Sequence, residues 1–256
     1  MKNESEKIKK KYKNNYLSKV ILRLDFNRID LDSVEDIYSE KFKKRFPSFS
    51  EKKDIFVSLE GGVASEEVRH SRNESKVFLF EDENKNKRLR LGSEYAFIEY
   101  DKYESFDELE NDISSAISTI ILSLKIKTIN RLGLRYINEI KIKDRDPLNW
   151  NDYISKNLLS ALNFYKLKKE KISRSMGQVV LKKDKADLSF GYGIFNKEFP
   201  SEINIKEFVL DIDCYSPLPF EVLEENIEER ICLYHSYIKE IFEDSITQKF
   251  RDFLNK

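Results

Sequence analysis

The chain has 256 residues, 36% of them charged, and its 46 Lys and Arg cancel its 46 Asp and Glu. Two Cys, two His, two Met and one Trp are too few for a closed structural zinc site, which takes about four Cys or His ligands. The neutral total argues against a generic polyanion binder and leaves room for local basic patches. A hydrophobic fraction of 40% with 13 Tyr and 18 Phe supports a real core, and the length fits one large or two small domains at roughly 100–200 residues each.

No apolar run reaches the roughly 18 residues of a membrane helix, and the basic N-terminus lacks the apolar stretch of a secretory signal. These features predict a cytoplasmic protein without membrane contact. Rich Lys, Asn and Ile usage points to a bacterial, AT-rich source. Cys214 and Cys232 read as two reduced, packed thiols.

Residues 1–15 are polar and basic and are expected to be flexible. Alternation from Leu17 to Phe26 predicts a strand. Asp32-Ser33 opens a helix that Pro47 stops after Phe46. Ile55–Leu59 is a short strand, and the polar run from Gly61 to Glu74 reads as a loop. Strands follow at Lys76–Glu81 and Arg88–Tyr100. Ser105 and Glu108 form a capping box before a helix with Phe106, Leu109, Ile113, Ala116, Ile117, Ile120 and Leu124 on one face. Arg131–Ile142 reads as a long strand and Pro147–Leu162 as a second short helix. Tyr165–Ile172, Gln178–Leu181, Ala186–Ile194 and Glu207–Tyr215 are strands. A last helix is expected from Phe220 to Phe242.

The element order is strand, helix, three strands, long helix, and then the same again. Phe106-x-x-Leu109-Glu110-x-x-Ile113 recurs as Phe220-x-x-Leu223-Glu224-x-x-Ile227, and Leu22-Arg23 corresponds to Leu134-Arg135. The predicted fold is therefore α+β: two similar β-α-β-β-β-α halves, residues 16–128 and 129–256, with mainly antiparallel sheets each packed by a long helix, related by a pseudo-two-fold. The halves either share one sheet edge to edge or face each other. A cleft at their junction is the expected binding site, with Arg131–Ile142 nearest that seam.

The most specific string runs from Asn130 to Ile140. Strand periodicity puts Arg131, Gly133 and Arg135 on one side and Tyr136 and Asn138 on the other. Two Arg flanking a Gly suit the approach of a phosphate or carboxylate; the plainer reading is an exposed face whose Arg residues pair with acidic neighbours such as Glu99 or Asp101. Arg131, Arg135, Tyr136 and Asn138 are the candidate binding residues. His70, among Glu66, Glu67, Arg69 and Arg72, is the one candidate for acid/base work, and His235 reads as a packing residue of the last helix. No HExxH, Walker A, GxSxG or CxxC motif is present, so no catalytic set, metal or cofactor is expected. Basic clusters at Lys7–Lys13, Lys166–Lys171 and Lys182–Lys185, each offset by nearby acids, read as solvated surface, with local contacts to nucleic acid as the alternative.

The string Arg131-x-Gly133-Leu134-Arg135-Tyr136-x-Asn138-x-Ile140 resembles the central signature of a sporadically distributed bacterial family of about this length, with no established reaction. The resemblance extends over residues 17–142 and, in outline, beyond. It lends no catalytic residues; the patchy distribution implies an accessory role in a defence or toxin–antitoxin-like module. With the doubled element order and no catalytic motif, it points to a non-catalytic binding or regulatory protein that grips a protein partner, a second copy of itself or a nucleic acid at the seam. The alternatives are an RNA-binding or RNA-processing protein with tandem ferredoxin-like halves, and a small-ligand sensor with a pocket between sheet and helix.

Overall fold

Two strands carry apolar residues at every second position, and the fold is arranged around them. In β1 (Leu17–Phe26), Val20, Leu22, Leu24 and Phe26 are buried; in β6 (Thr128–Lys141), Leu132, Leu134, Tyr136, Asn138 and Ile140 are. The two pair antiparallel with Leu22 opposite Leu134, so both apolar rows fall on the same face. The computed structural model describes residues 12–31, 34–38, 40–60, 69–143, 146–164, 172–223 and 226–256.

The other strands are β2 (Ser48–Glu60), β3 (Arg69–Glu81), β4 (Lys87–Leu91), β5 (Tyr95–Tyr100), β7 (Ser175–Lys183), β8 (Ala186–Ile194), β9 (Glu207–Tyr215) and β10 (Phe220–Glu221). Together with β1 and β6 they form, among the described residues, a single mixed-length sheet of ten strands in the order β2-β3-β4-β5-β1-β6-β9-β8-β7, with β10 paired to β6. The pairings are antiparallel throughout. The two predicted halves thus share one sheet, joined at β1/β6. Outward from that seam, each side continues with its last long strand (β5 or β9), then β4 or β8, then β3 or β7. Each side is a meander closed by its own first strand, an order that a ferredoxin-like half, with its first strand interleaved, does not have.

The helices are α1 (Val34–Ile37), α2 (Glu40–Arg45), α3 (Phe106–Asp112), α4 (Ser118–Ser123), α5 (Ser160–Phe164), α6 (Ile227–Ser245) and α7 (Gln248–Leu254). A π-helical turn, Ile113–Ile117, joins α3 to α4, and a 3-10 turn, Lys156–Leu159, leads into α5. Leu109, Ile113, Ala116, Ile117 and Ile120, and then Ile231, Tyr234 and Ile238, share one core with the apolar rows of the sheet. The helix layer covers that face and leaves the opposite face of the central strands open.

Several expectations change. The last helix does not begin at Phe220. Phe220 and Glu221 extend the seam as β10, opposite Ile129 and Thr128, and Leu223 is 97% exposed. The helix starts at Ile227, where Asn226 accepts hydrogen bonds from the N–H groups of Glu228 and Glu229; a side-chain cap sets the boundary that apolar spacing alone misplaces. The Phe-x-x-Leu-Glu recurrence therefore does not match helix to helix. The helix predicted from Asp32 is two short pieces, α1 and α2. Arg69–Glu74, predicted as loop, belongs to β3, where pairing with Ile55–Glu60 holds a polar sequence extended. Helix in the Pro147–Leu162 segment starts only at Lys156. Residues 165–171 of the strand predicted at Tyr165–Ile172 lie outside the described residues, and Ile172 is not in a strand. The capping box is half formed: Ser105 Oγ accepts from the Glu108 N–H at 3.3 Å, but the Glu108 carboxylate turns to Lys87 instead.

That carboxylate belongs to a buried ionic knot. Asp112, fully buried at the end of α3, accepts from Arg45 Nε at 2.5 Å, Tyr100 Oη at 2.7 Å and Lys87 Nζ at 2.9 Å. Lys87 also sits 5.0 Å from the Phe46 ring. One carboxylate thereby ties α2, α3, β4 and β5 together. Its burial stands only because two cations and a hydroxyl face it. Asp112→Ala would leave Arg45 and Lys87 with only Glu108 between them, at 3.4 Å from Lys87, and is expected to cost about 3–5 kcal/mol, read as a lowered urea midpoint with an unchanged slope; a variant as stable as the parent would contradict this assignment.

Candidate binding cavity at the seam

The alternation along β6 sends the four candidate residues to opposite faces of the sheet. Arg131 and Arg135 lie on the open face. Arg131 donates to Asp213 at 2.8 Å and lies 4.7 Å over the Tyr215 ring. Gly133 makes this posture possible: a Cβ there would stand 2.7 Å from Arg131 Nη1. Arg135 holds Asp211 with two bonds, of 2.7 and 2.6 Å, and this carboxylate raises the guanidinium pKa further. Burial pushes Asp213 up from the ordinary carboxylate range despite its two Arg neighbours. Lys19 and Arg88 share Glu99 and Asp101 on the first half of the face. A shallow groove of about 510 Å³ runs here between Ile21, Arg23, Phe97 and the two Arg residues. Its cations already face carboxylates of the same chain, the plainer of the two readings of the sequence, although the partners of Arg131 and Arg135 come from β9 and not from Glu99 or Asp101.

Tyr136 and Asn138 point the other way, into a cavity of about 280 Å³ between the seam strands, the start of α3 and the helix α6. Its walls are largely aromatic and aliphatic, with Tyr12, Tyr16, Leu17, Phe106, Ile238 and Phe242, and the charged Glu104, Asp107, Lys239 and Glu243 also line it. Its polar end is a hydrogen-bonded chain. The Tyr103 and Tyr136 hydroxyls are 2.8 Å apart, and Tyr136 Oη is 2.9 Å from His235 Nδ1. Phe106 stacks on the His235 ring with centroids 4.0 Å apart. Desolvation, helped by Lys239, pushes the His235 pKa down to about 4, and burial raises both phenols. All three groups are therefore uncharged at neutral pH. A neutral imidazole has one donor and one acceptor, so the chain can run in either direction: Tyr103 to Tyr136 to Nδ1, or outward from Nδ1–H.

The segment before β1 forms another wall. Tyr12 Oη donates to Glu243 at 2.7 Å, Asn14 N–H to the Leu254 carbonyl at 2.9 Å, and the Tyr16 ring packs 5.8 Å from Phe250. Glu243 also accepts from Arg251 Nε at 2.8 Å. Residues 12–15, expected to be flexible, are instead fastened to α6 and α7. Their sequence is polar, but the partners that order them are some 230 residues away.

Other candidates fall elsewhere. His70 lies in β3 opposite Leu59, not in a loop, and its acidic companions Glu66 and Glu67 are outside the described residues. Lys182 and Lys183 pair with Asp187 and Glu240; the basic run Lys166–Lys171 and most of Lys7–Lys13 are outside the described residues. Cys214 is buried and Cys232 exposed, both free. Among the described residues no group of three or more His, Cys, Asp or Glu is placed to hold a metal ion, and no helix is long and apolar enough to cross a membrane. Sequence reasoning missed Tyr103 and the cavity role of His235. The available signal was the stripe His235, Lys239, Glu243 at four-residue spacing on an otherwise apolar helix face.

The chain matches no protein-family model, and no curated protein aligns significantly with it.

His235 has a folded pKa near 4 against an ordinary 6.5. Between those values the unfolded chain binds a proton that the folded one refuses, so the stability contributed by the neutral ring is intact above pH 6.5 and falls as the pH drops toward 4. The upper bound is about 3 kcal/mol. In urea titrations at pH 7 and pH 4.5, His235→Gln is expected to lose less stability on acidification than the parent; equal losses would contradict a neutral, buried imidazole.

Proposed function

We propose that the protein is a non-catalytic binding protein that takes a small, uncharged, ring-sized organic molecule into the cavity at the β1/β6 seam. The observation that carries this reading is the pairing of aromatic walls with an uncharged polar end, Tyr103–Tyr136–His235. Small-molecule sites are mostly apolar with a few convergent polar groups, over roughly 300–1,000 Å³. A cavity of about 280 Å³ suits one or two fused rings. A hydroxyl–imidazole chain that runs either way favours a ligand group that donates or accepts, such as an amide, lactam or phenol, over a phosphate or a carboxylate.

The paired state of Arg131 and Arg135 weighs against an anionic partner on the open face. A seam formed by duplication is part of the same proposal. It is supported by the matching strand order on either side and by the register: Leu22 faces Leu134, with Arg23 and Arg135 diagonal across that pair. Among the described residues the halves differ at the start of α6 and in β2, β10 and α7. The central string of β6 supports placing the chain in the bacterial family it resembles, and with it an accessory role in a defence or toxin–antitoxin-like module, inside the cytoplasm.

Saturation-transfer NMR with indole, adenine and benzamide tests this reading. At least one probe is expected to bind, and Tyr136→Phe, which keeps the ring and removes the hydroxyl, is expected to weaken it about tenfold through one lost hydrogen bond. Absence of transfer from all three probes, or binding unchanged in Tyr136→Phe, would overturn the proposal.

A further inference from the structure

Among the described residues, β7 is an edge strand that no other element covers. Among the described residues it pairs with β8 alone, so along its outer side every second N–H and C=O points away from the sheet. Its side chains are exposed on both faces: Met176 is 45% exposed, Val179 41% and Val180 53%. Soluble proteins blunt such edges with proline, with spread charges, with bulges or with a covering element. β7 has no proline, runs in unbroken register with β8 from Ser175 to Lys183, and keeps its charges, Lys182 and Lys183, at one end. Gly177 does not loosen it, because the Tyr192 ring of β8 lies across the space a side chain would take.

We propose that β7 is a self-association edge, pairing antiparallel with β7 of a second copy about a two-fold axis at Val179, so that two sheets become one. The strand's own charge pattern selects this occupant. In that register Ser175 and Met176 face Lys183 and Lys182 of the partner subunit, so no like charges meet. Arg174, held at the strand's start by its bond to the Phe195 carbonyl and by stacking on Phe199, falls opposite Asp184 of the partner subunit in the β7–β8 turn. Two such pairs, related by the axis, would close the two ends of the new ladder. Val179 meets Val179 of the partner subunit, an apolar contact at the distance where cross-strand pairs interact. The inference is independent of the cavity, which lies across the sheet at the seam.

Sedimentation velocity over a concentration series tests it. The wild-type chain is expected to move from monomer to dimer. Val179→Lys and Val179→Glu each place like charges directly opposite at the axis, and each is expected to weaken dimerisation about tenfold. An equimolar mixture of the two is expected to recover the dimer, since unlike charges then face each other. Asp184→Lys, in an exposed turn remote from the core, gives a second reading by setting Lys against Arg174, and is also expected to weaken the dimer. A wild-type chain that stays monomeric at every concentration, or Val179→Lys and Asp184→Lys variants that dimerise as the parent does, would overturn the proposal.

Discussion

The antiparallel pairing of β1 with β6 is the constraint on which the remaining structure depends. It spans Leu17 to Phe26 against Asn138 to Ile129 and, among the described residues, is the only route by which the backbone ladder passes from one half of the sheet to the other. Its register decides chemistry on both faces at once. With Leu22 opposite Leu134, the apolar rows unite under one helix layer, and Tyr136 and Asn138 come to stand beside the incoming Tyr16–Leu17 and the helix α6. A slip of one residue would turn Arg131 and Arg135 into the core and Tyr136 out to solvent.

The two faces are stabilised by different forces. On the helix side the driving force is burial: the rows of β1, β5, β6 and β9 are almost wholly removed from water, at roughly 25 cal/mol per Å² of apolar surface. On the open side, ion pairs cover the strands. Exposed pairs contribute little each, about 0–1 kcal/mol; their larger effect is that no single sign of charge accumulates on a face crowded with Arg and Lys. This is how a chain of zero net charge can be 36% charged without a strong field. The exception is Asp112, where the charges are internal and every partner is needed.

Strand positions were legible wherever one face of the sheet is buried and the other is not. Ala186–Ile194 and Glu207–Tyr215 are read from alternation with the boundaries the structure has, and the opposite facing of Arg131 and Tyr136 follows from the same periodicity. Legibility fails where tertiary partners override the local pattern. Arg69–Glu74 is polar at every position in sequence, and it is strand where it pairs with β2. Phe220 has the spacing of a helix start but is drawn into the seam beside Ile129. The cavity is illegible for a related reason: Tyr12, Tyr103, Tyr136 and His235 lie far apart in the chain, and only the seam register and the fastening of the N-terminal segment bring them together.

If the seam is what joins the halves, the chain should open there last. Native-state hydrogen exchange measures this directly. The amides of Val20–Leu24 and Leu132–Tyr136 are predicted to exchange only through global unfolding, with the same free energy in both strands and with β5 and β9 no more protected than they are. Exchange of the β1/β6 amides at a lower free energy than the flanking strands, with the two halves opening independently, would contradict the account.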